Sequence, residues 1–191
     1  MSKLFEKCIR PLTALSVSTV LFLCLTQVTA GKDPERPSDS LTLIDIDGSK
    51  ITFDLARLKK MPQVTEKECI CVGEHVGFIG IFDYAGVRLA ELLNEARAFQ
   101  SCSDYKKRNV YLVLRGTDGY QVVVTWNELL QTAPGTRVLI AIERDGKPIP
   151  AAKGQFRSLF PGDKYFGRSV MCLETIEIHC ADGVVERDKD S

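Results

Sequence analysis

Four turn dipeptides, Asp47-Gly48, Asp118-Gly119, Pro134-Gly135 and Asp145-Gly146, cut this chain into runs that suit only small strands and short helices. Leu41-Thr42-Leu43-Ile44-Asp45-Ile46 alternates in polarity, and Lys50-Ile51-Thr52-Phe53 returns after the first turn, so an opening hairpin is predicted. Residues 54–58 predict a short helix that Pro62 ends. Residues 69–77 combine cysteine, glycine, Glu74 and His75 and read as a functional loop. In residues 86–96, Leu89, Leu92, Leu93 and Ala96 fall at helical spacing, which predicts a helix burying its leucine face. Residues 110–114, 120–125 and 138–143 read as strands, 126–131 as a short helix and 169–179 as a last strand. Strands and helices mix without a βαβ rhythm and no repeat is visible, so the fold class is α+β with mixed β-sheets and short helices.

The N-terminus carries a different message. Lys3, Lys7 and Arg10 precede an apolar run over residues 12–25, and Val28-Thr29-Ala30 is a small-residue cleavage site, the pattern of a secretory signal over residues 1–30. The run falls short of the ~20 residues of a membrane span; an uncleaved anchor is the alternative. Cys24 follows bulky Leu23, so it belongs to the apolar run rather than to a lipoprotein site. A polar linker over 31–40, a domain over 41–180 and a charged tail over 181–191 complete the expected organisation, and the expected address is the periplasm or another exported location.

Cutting after Ala30 removes Lys3, Lys7, Arg10 and Glu6, so the 25 basic and 25 acidic residues become 22 and 24, a formal charge of −2. Only Lys106-Lys107-Arg108 clusters positive charge, too little for a phosphate-tracking face, and nucleic acid is excluded as a partner. Five cysteines remain, Cys69, Cys71, Cys102, Cys172 and Cys180, enough for two disulfides and one thiol in an oxidising compartment. Cys69 and Cys71 lie too close in the chain to join readily. On one strand Cys172 and Cys180 would stand about 26 Å apart. His75 and His179 lack partners at metal-binding spacing, and no Gly-x-Gly-x-x-Gly, P-loop or Gly-x-Ser-x-Gly pattern supports nucleotide binding or hydrolysis.

Cys71-Val72-Gly73-Glu74, then Gly86-Val87-Arg88-Leu89 with Leu92-Leu93, stand in an order that resembles the molybdopterin-binding domain of the sulfite oxidase family. Thr117-Asp118-Gly119-Tyr120, the Gly146 to Pro150 turn, Gly154-Gln155-Phe156-Arg157 with Pro161-Gly162, and Gly167-Arg168-Ser169-Val170 continue the resemblance. The resemblance implies a sulfite-oxidase-type fold in which Cys71 gives a thiolate to molybdenum while Arg157 and Arg168 clamp pterin and phosphate. The departures are Glu74 where asparagine is usual, Lys153 near a usual histidine, and Met171 in place of a lysine.

Two readings of function follow. In the first, the cofactor cleft holds a free pterin without catalysis and controls a membrane-anchored signalling partner; Tyr84, Tyr120, Trp126 and Phe156 would offer aromatic faces, and Glu74, Asp118 and Arg157 contacts to the ring edge. In the alternative, a molybdenum-cofactor-dependent oxidoreductase works with Cys71 as metal ligand and a redox partner, and a disulfide through Cys71 would count against it. A cleft emptied of ligand and kept as a protein-interaction surface is a third possibility.

Overall fold

The computed structural model describes residues 37–181. The expected signal, most of the linker and the charged tail lie outside the described residues. Two sheets organise the rest. The first has the order β2-β1-β10-β5-β6, from β1 (Leu41–Ile44), β2 (Lys50–Phe53), β5 (Val110–Gly116), β6 (Gln121–Thr125) and β10 (Leu173–Cys180). The second runs β3-β4-β7-β8, from β3 (Gln63–Gly73), β4 (Gly77–Arg88), β7 (Leu139–Arg144) and β8 (Lys147–Pro148), with β9 (Arg157–Leu159) also on β7. β1 pairs parallel to β10, whereas all other pairings are antiparallel.

Short helices fill the gaps. Asp54 accepts from Arg57 N and starts α1 (Leu55–Lys60). α2 (Leu89–Leu93) buries Leu89, Leu92 and Leu93, and α3 (Arg97–Gln100) buries Phe99. α4 covers Asp104–Lys107, and α5 (Trp126–Gln131) starts at Thr125, whose hydroxyl accepts from Glu128 N. The buried carboxylate of Asp45 accepts from the backbone of Ala98 and Phe99, tying α3 to the end of β1. No helix among the described residues is long and apolar enough to cross a membrane.

β7 shows why two cores form. Leu139, Ile140, Ala141 and Ile142 are all buried, since both faces of this strand are covered. Ile140 and Ile142 join the main core with Leu41, Leu43, Leu112, Leu114 and Ile176, while Leu139 and Ala141 join a smaller cluster with Cys71, Tyr84, Ile149 and Leu159. Gly86 permits the β4–β7 approach, because a Cβ there would stand 2.0 Å from the Ile140 carbonyl oxygen.

Three sequence expectations are corrected. Residues 69–77 are not a loop: they carry the end of β3, a tight turn and the start of β4. Cross-strand pairing over eleven and twelve residues outweighs their glycine content. Residues 86–88 belong to β4, so the helix begins at Leu89. The last strand begins at Leu173, because Cys172 has a left-handed φ of 49° and residues 166–168 form a 3-10 turn.

Candidate active site

Cys71 reaches the smaller cluster because of a bulge. Glu66 pairs with Tyr84 and Cys69 with Phe82, so β3 spends two residues, Lys67 and Glu68, where β4 spends one. Glu68 takes φ 52°, and its N–H donates to Asp83 Oδ1 at 2.8 Å. Side chains alternate along a strand, so one extra residue flips every later side chain to the other face. Cys69 and Cys71 therefore share the face of Phe82 and Tyr84; without the bulge Ile70 would occupy it. A matching device operates on β7, where Ile142 is the extra residue between Ala141 and Glu143 and turns Arg144 onto the face of Tyr84.

Around Cys71 the geometry is compact. The Tyr84 hydroxyl stands 4.0 Å from Cys71 Sγ and accepts from Arg157 Nη1 at 3.2 Å. Phe166 stacks on Tyr84 with ring centroids 6.4 Å apart, and the Arg157 guanidinium lies 5.7 Å from the Phe166 ring centre. Arg157 Nε is buried and has no hydrogen-bond partner. Beside this group opens a cavity of about 320 Å³ lined by Tyr84, Arg144, Lys147, Ile149, Lys153 and Arg157, with Asp145 as its only acid. Four cations against one carboxylate give its lining a net positive charge.

Cys71 is a free thiol with 1% exposure. Burial pushes this thiol above its ordinary range, against hydrogen bonding from Tyr84 and the charge of Arg157. Cys69 is pushed up to about 11 by burial and by Glu66, so it is a protonated structural thiol. Burial likewise raises Tyr84, keeping its hydroxyl protonated. Cys69, Cys102 and Cys180 are also free thiols.

Of the residues expected at the site, the structure brings Cys71, Arg157 and Tyr84 together and disperses the others. Glu74 is exposed at the β3–β4 turn. Asp118 accepts from Tyr120 N within its own turn, and the Tyr120 hydroxyl donates to the Gly167 carbonyl. Trp126 packs edge-on against Phe99 at 4.6 Å, with Lys107 over its ring. Phe156 is fully buried in the main core. Arg168 is bound to Asp163 and Glu128, whose hydrogen bonds raise its already high pKa further, and it lines a different pocket with those acids. It is no open phosphate clamp.

Sequence reasoning missed Arg144, Lys147 and Phe166; the basic spacing across the Asp145-Gly146 turn was the available signal. His179 pairs with Glu177 at 3.0 Å and stacks on Tyr111. Among the described residues no group of three or more His, Cys, Asp or Glu could hold a metal ion. A metal here needs ligands beyond the described side chains.

Gly154 places Arg157. Its φ is 77°, and a Cβ would stand 2.2 Å from Cys172 N, so only glycine lets this turn pack under the start of the last strand.

Comparison with known proteins gives the family and the fold. Residues 34–183 match the profile of the family described as "Oxidoreductase molybdopterin binding domain". No curated protein matches in sequence. Among solved structures, the sulfane dehydrogenase SoxCD from Paracoccus pantotrophus is similar, with a TM-score of 0.57 at 19% identity. That likeness covers 73% of this chain and 38% of the SoxCD chain, and it shows the fold alone.

Proposed function

Because the chain belongs to the oxidoreductase molybdopterin-binding domain family, we propose that the Cys71–Tyr84–Arg157 cleft binds a molybdopterin cofactor and that Cys71 supplies a thiolate to its metal in a two-electron oxidoreductase. The observation that carries this reading is Arg157 Nε, a buried donor without a partner in a residue that lines a basic cavity. An unpaired buried donor costs about 1–3 kcal/mol, which an anionic ligand would offset.

The residues fit the group. A soft thiolate suits molybdenum, a planar guanidinium suits phosphate, and the half-buried Phe166 ring, backed by Tyr84, would offer a flat face to a heterocycle. Bound there, the cofactor would supply the two-electron chemistry. Arg144, Lys147 and Lys153 would hold its anionic part, and Arg157 would hold both ligand and Tyr84 hydroxyl. Cys71 must give up its proton before it can ligate, so loading releases a proton from a thiol that burial keeps protonated.

Export to the periplasm and electron exchange with a membrane-anchored redox partner belong to the same proposal, supported by the signal-like residues 1–30. A second reading keeps the cleft as a metal-free pterin site controlling a signalling partner. It draws on the cover over Cys71, where the Tyr84 hydroxyl lies beside a sulfur that is already buried.

Pterin content tests the shared part of both. Protein purified from its own host is denatured and oxidised, and the released pterin is measured by fluorescence. Near one pterin per chain is expected; none would overturn cofactor binding.

A further inference from the structure

β3 is held in a register that burial alone would not choose. It keeps Cys71 1% exposed and leaves Ile70, the larger apolar side chain, 64% exposed, whereas the unbulged register would turn Ile70 inward and Cys71 outward. The residue opposite the bulge is Asp83, which stands on β4 between Phe82 and Tyr84, the partners of Cys69 and Glu66. Its carboxylate accepts from the Glu68 N–H at 2.8 Å. Its main chain is bonded to Asp145: Asp145 N donates to the Asp83 carbonyl at 2.8 Å, and Asp83 N donates to Asp145 Oδ1 at 2.9 Å. Glu68 and Asp145 are two of the three non-glycine residues with left-handed φ among the described residues, each at 52°. Such backbone conformations are costly and persist only where neighbouring bonds hold them. Here both are bonded to the same residue.

We propose that Asp83 is a positioning residue of the site, aligning the Cys71 thiol with the basic cavity by fixing the bulge on one side of β4 and the β7–β8 turn on the other. Glu68 decides which face of β3 Cys71 takes. Asp145 opens the turn between Arg144 and Lys147, both of which line the cavity. Loss of the Asp83 carboxylate frees Glu68 to leave its left-handed conformation, and β3 then relaxes toward the register that carries Cys71 outward. The consequence for ligand retention rests on the cofactor reading, whereas the orientation of Cys71 is tested without any ligand.

The experiment measures maleimide labelling of each cysteine in the native protein by mass spectrometry, together with pterin retention, on full chains purified from their own host. Wild-type Cys71 is expected to be protected. In Asp83→Ala it should label about tenfold faster, while Cys172, also 1% exposed but outside this junction, stays protected. Pterin retention in that variant should fall about tenfold. Asp83→Asn keeps an acceptor for the Glu68 N–H and should match wild type in both measurements. Asp47→Ala removes a similar turn bond, to Ser49 N in the opening hairpin, and should change neither. Cys71 labelled no faster in Asp83→Ala, or Asp83→Asn as damaging as alanine, would overturn the proposal. So would Cys71 and Cys172 labelled together, which would make Asp83 a support of the whole fold. Faster Cys71 labelling in Asp83→Ala with no pterin in wild type would overturn the cofactor reading and leave the role of Asp83 standing.

Discussion

Glu66 is the buried acid of an ion triad that holds the approach to the Cys71 bulge. It is 5% exposed, Arg88 Nη1 lies 2.6 Å from Oε1, and Arg137 binds Oε2 through Nε and Nη2. The triad links β3 to the last residue of β4 and to the 3-10 turn ahead of β7. Burial pushes this carboxyl up, but hydrogen bonds from Arg137 and Arg88 and their charges outweigh it and hold the pKa below the ordinary 4.5. Glu66→Gln keeps the shape and removes the charge. Stranding a fully buried partner costs about 3–5 kcal/mol, yet the two arginines are a quarter and a half exposed, so water takes up part of the loss and about 2 kcal/mol is expected. With a urea m-value near 2 kcal/mol/M, the unfolding midpoint should fall by about 1 M at pH 7. The folded pKa is depressed, so the stabilisation is present above the unfolded value and is lost as pH falls through the folded one. Wild type and Glu66→Gln should therefore converge on acidification below pH 4.5. An unchanged midpoint at pH 7, or a difference that persists in acid, would refute the argument.

The bulge and the arginines give further tests. Glu68 sits at φ 52°, so Glu68→Gly should be neutral or stabilising by about 0.5 kcal/mol, whereas Glu68→Val should cost more than about 1 kcal/mol in urea unfolding; equal effects would remove the bulge from the account. Arg157→Gln should cut pterin retention at least tenfold, about 1.4 kcal/mol. Arg168→Gln should leave retention unchanged and lower stability by about 1 kcal/mol, because it strands Asp163 and Glu128 together. The reverse order of retention would reinstate Arg168 as a clamp.

What the sequence made legible was local. The opening hairpin, strands β5 to β7 and the helix Trp126–Gln131 follow from two- and 3.6-residue periods and their turns, and the α+β class follows from their order. Motif order pointed to Cys71 and Arg157, which the structure brings together around Tyr84. The rest depends on distant partners. The bulge that aims Cys71 needs Asp83, fifteen residues after Glu68. Arg168 is taken by Glu128, forty residues earlier, and Trp126 and Phe156 are drawn inward by neighbours that no local pattern names. A glycine-bearing Cys-x-Cys segment reads as a loop until its partner strand is in place.

Molybdenum in the protein from its own host, measured by mass spectrometry on wild type and Cys71→Ala, tests the central proposal most directly. The account predicts close to one molybdenum per wild-type chain and its loss from Cys71→Ala, with the variant still folded. Pterin without molybdenum in wild type, or molybdenum retained in Cys71→Ala, would contradict a metal site built on Cys71.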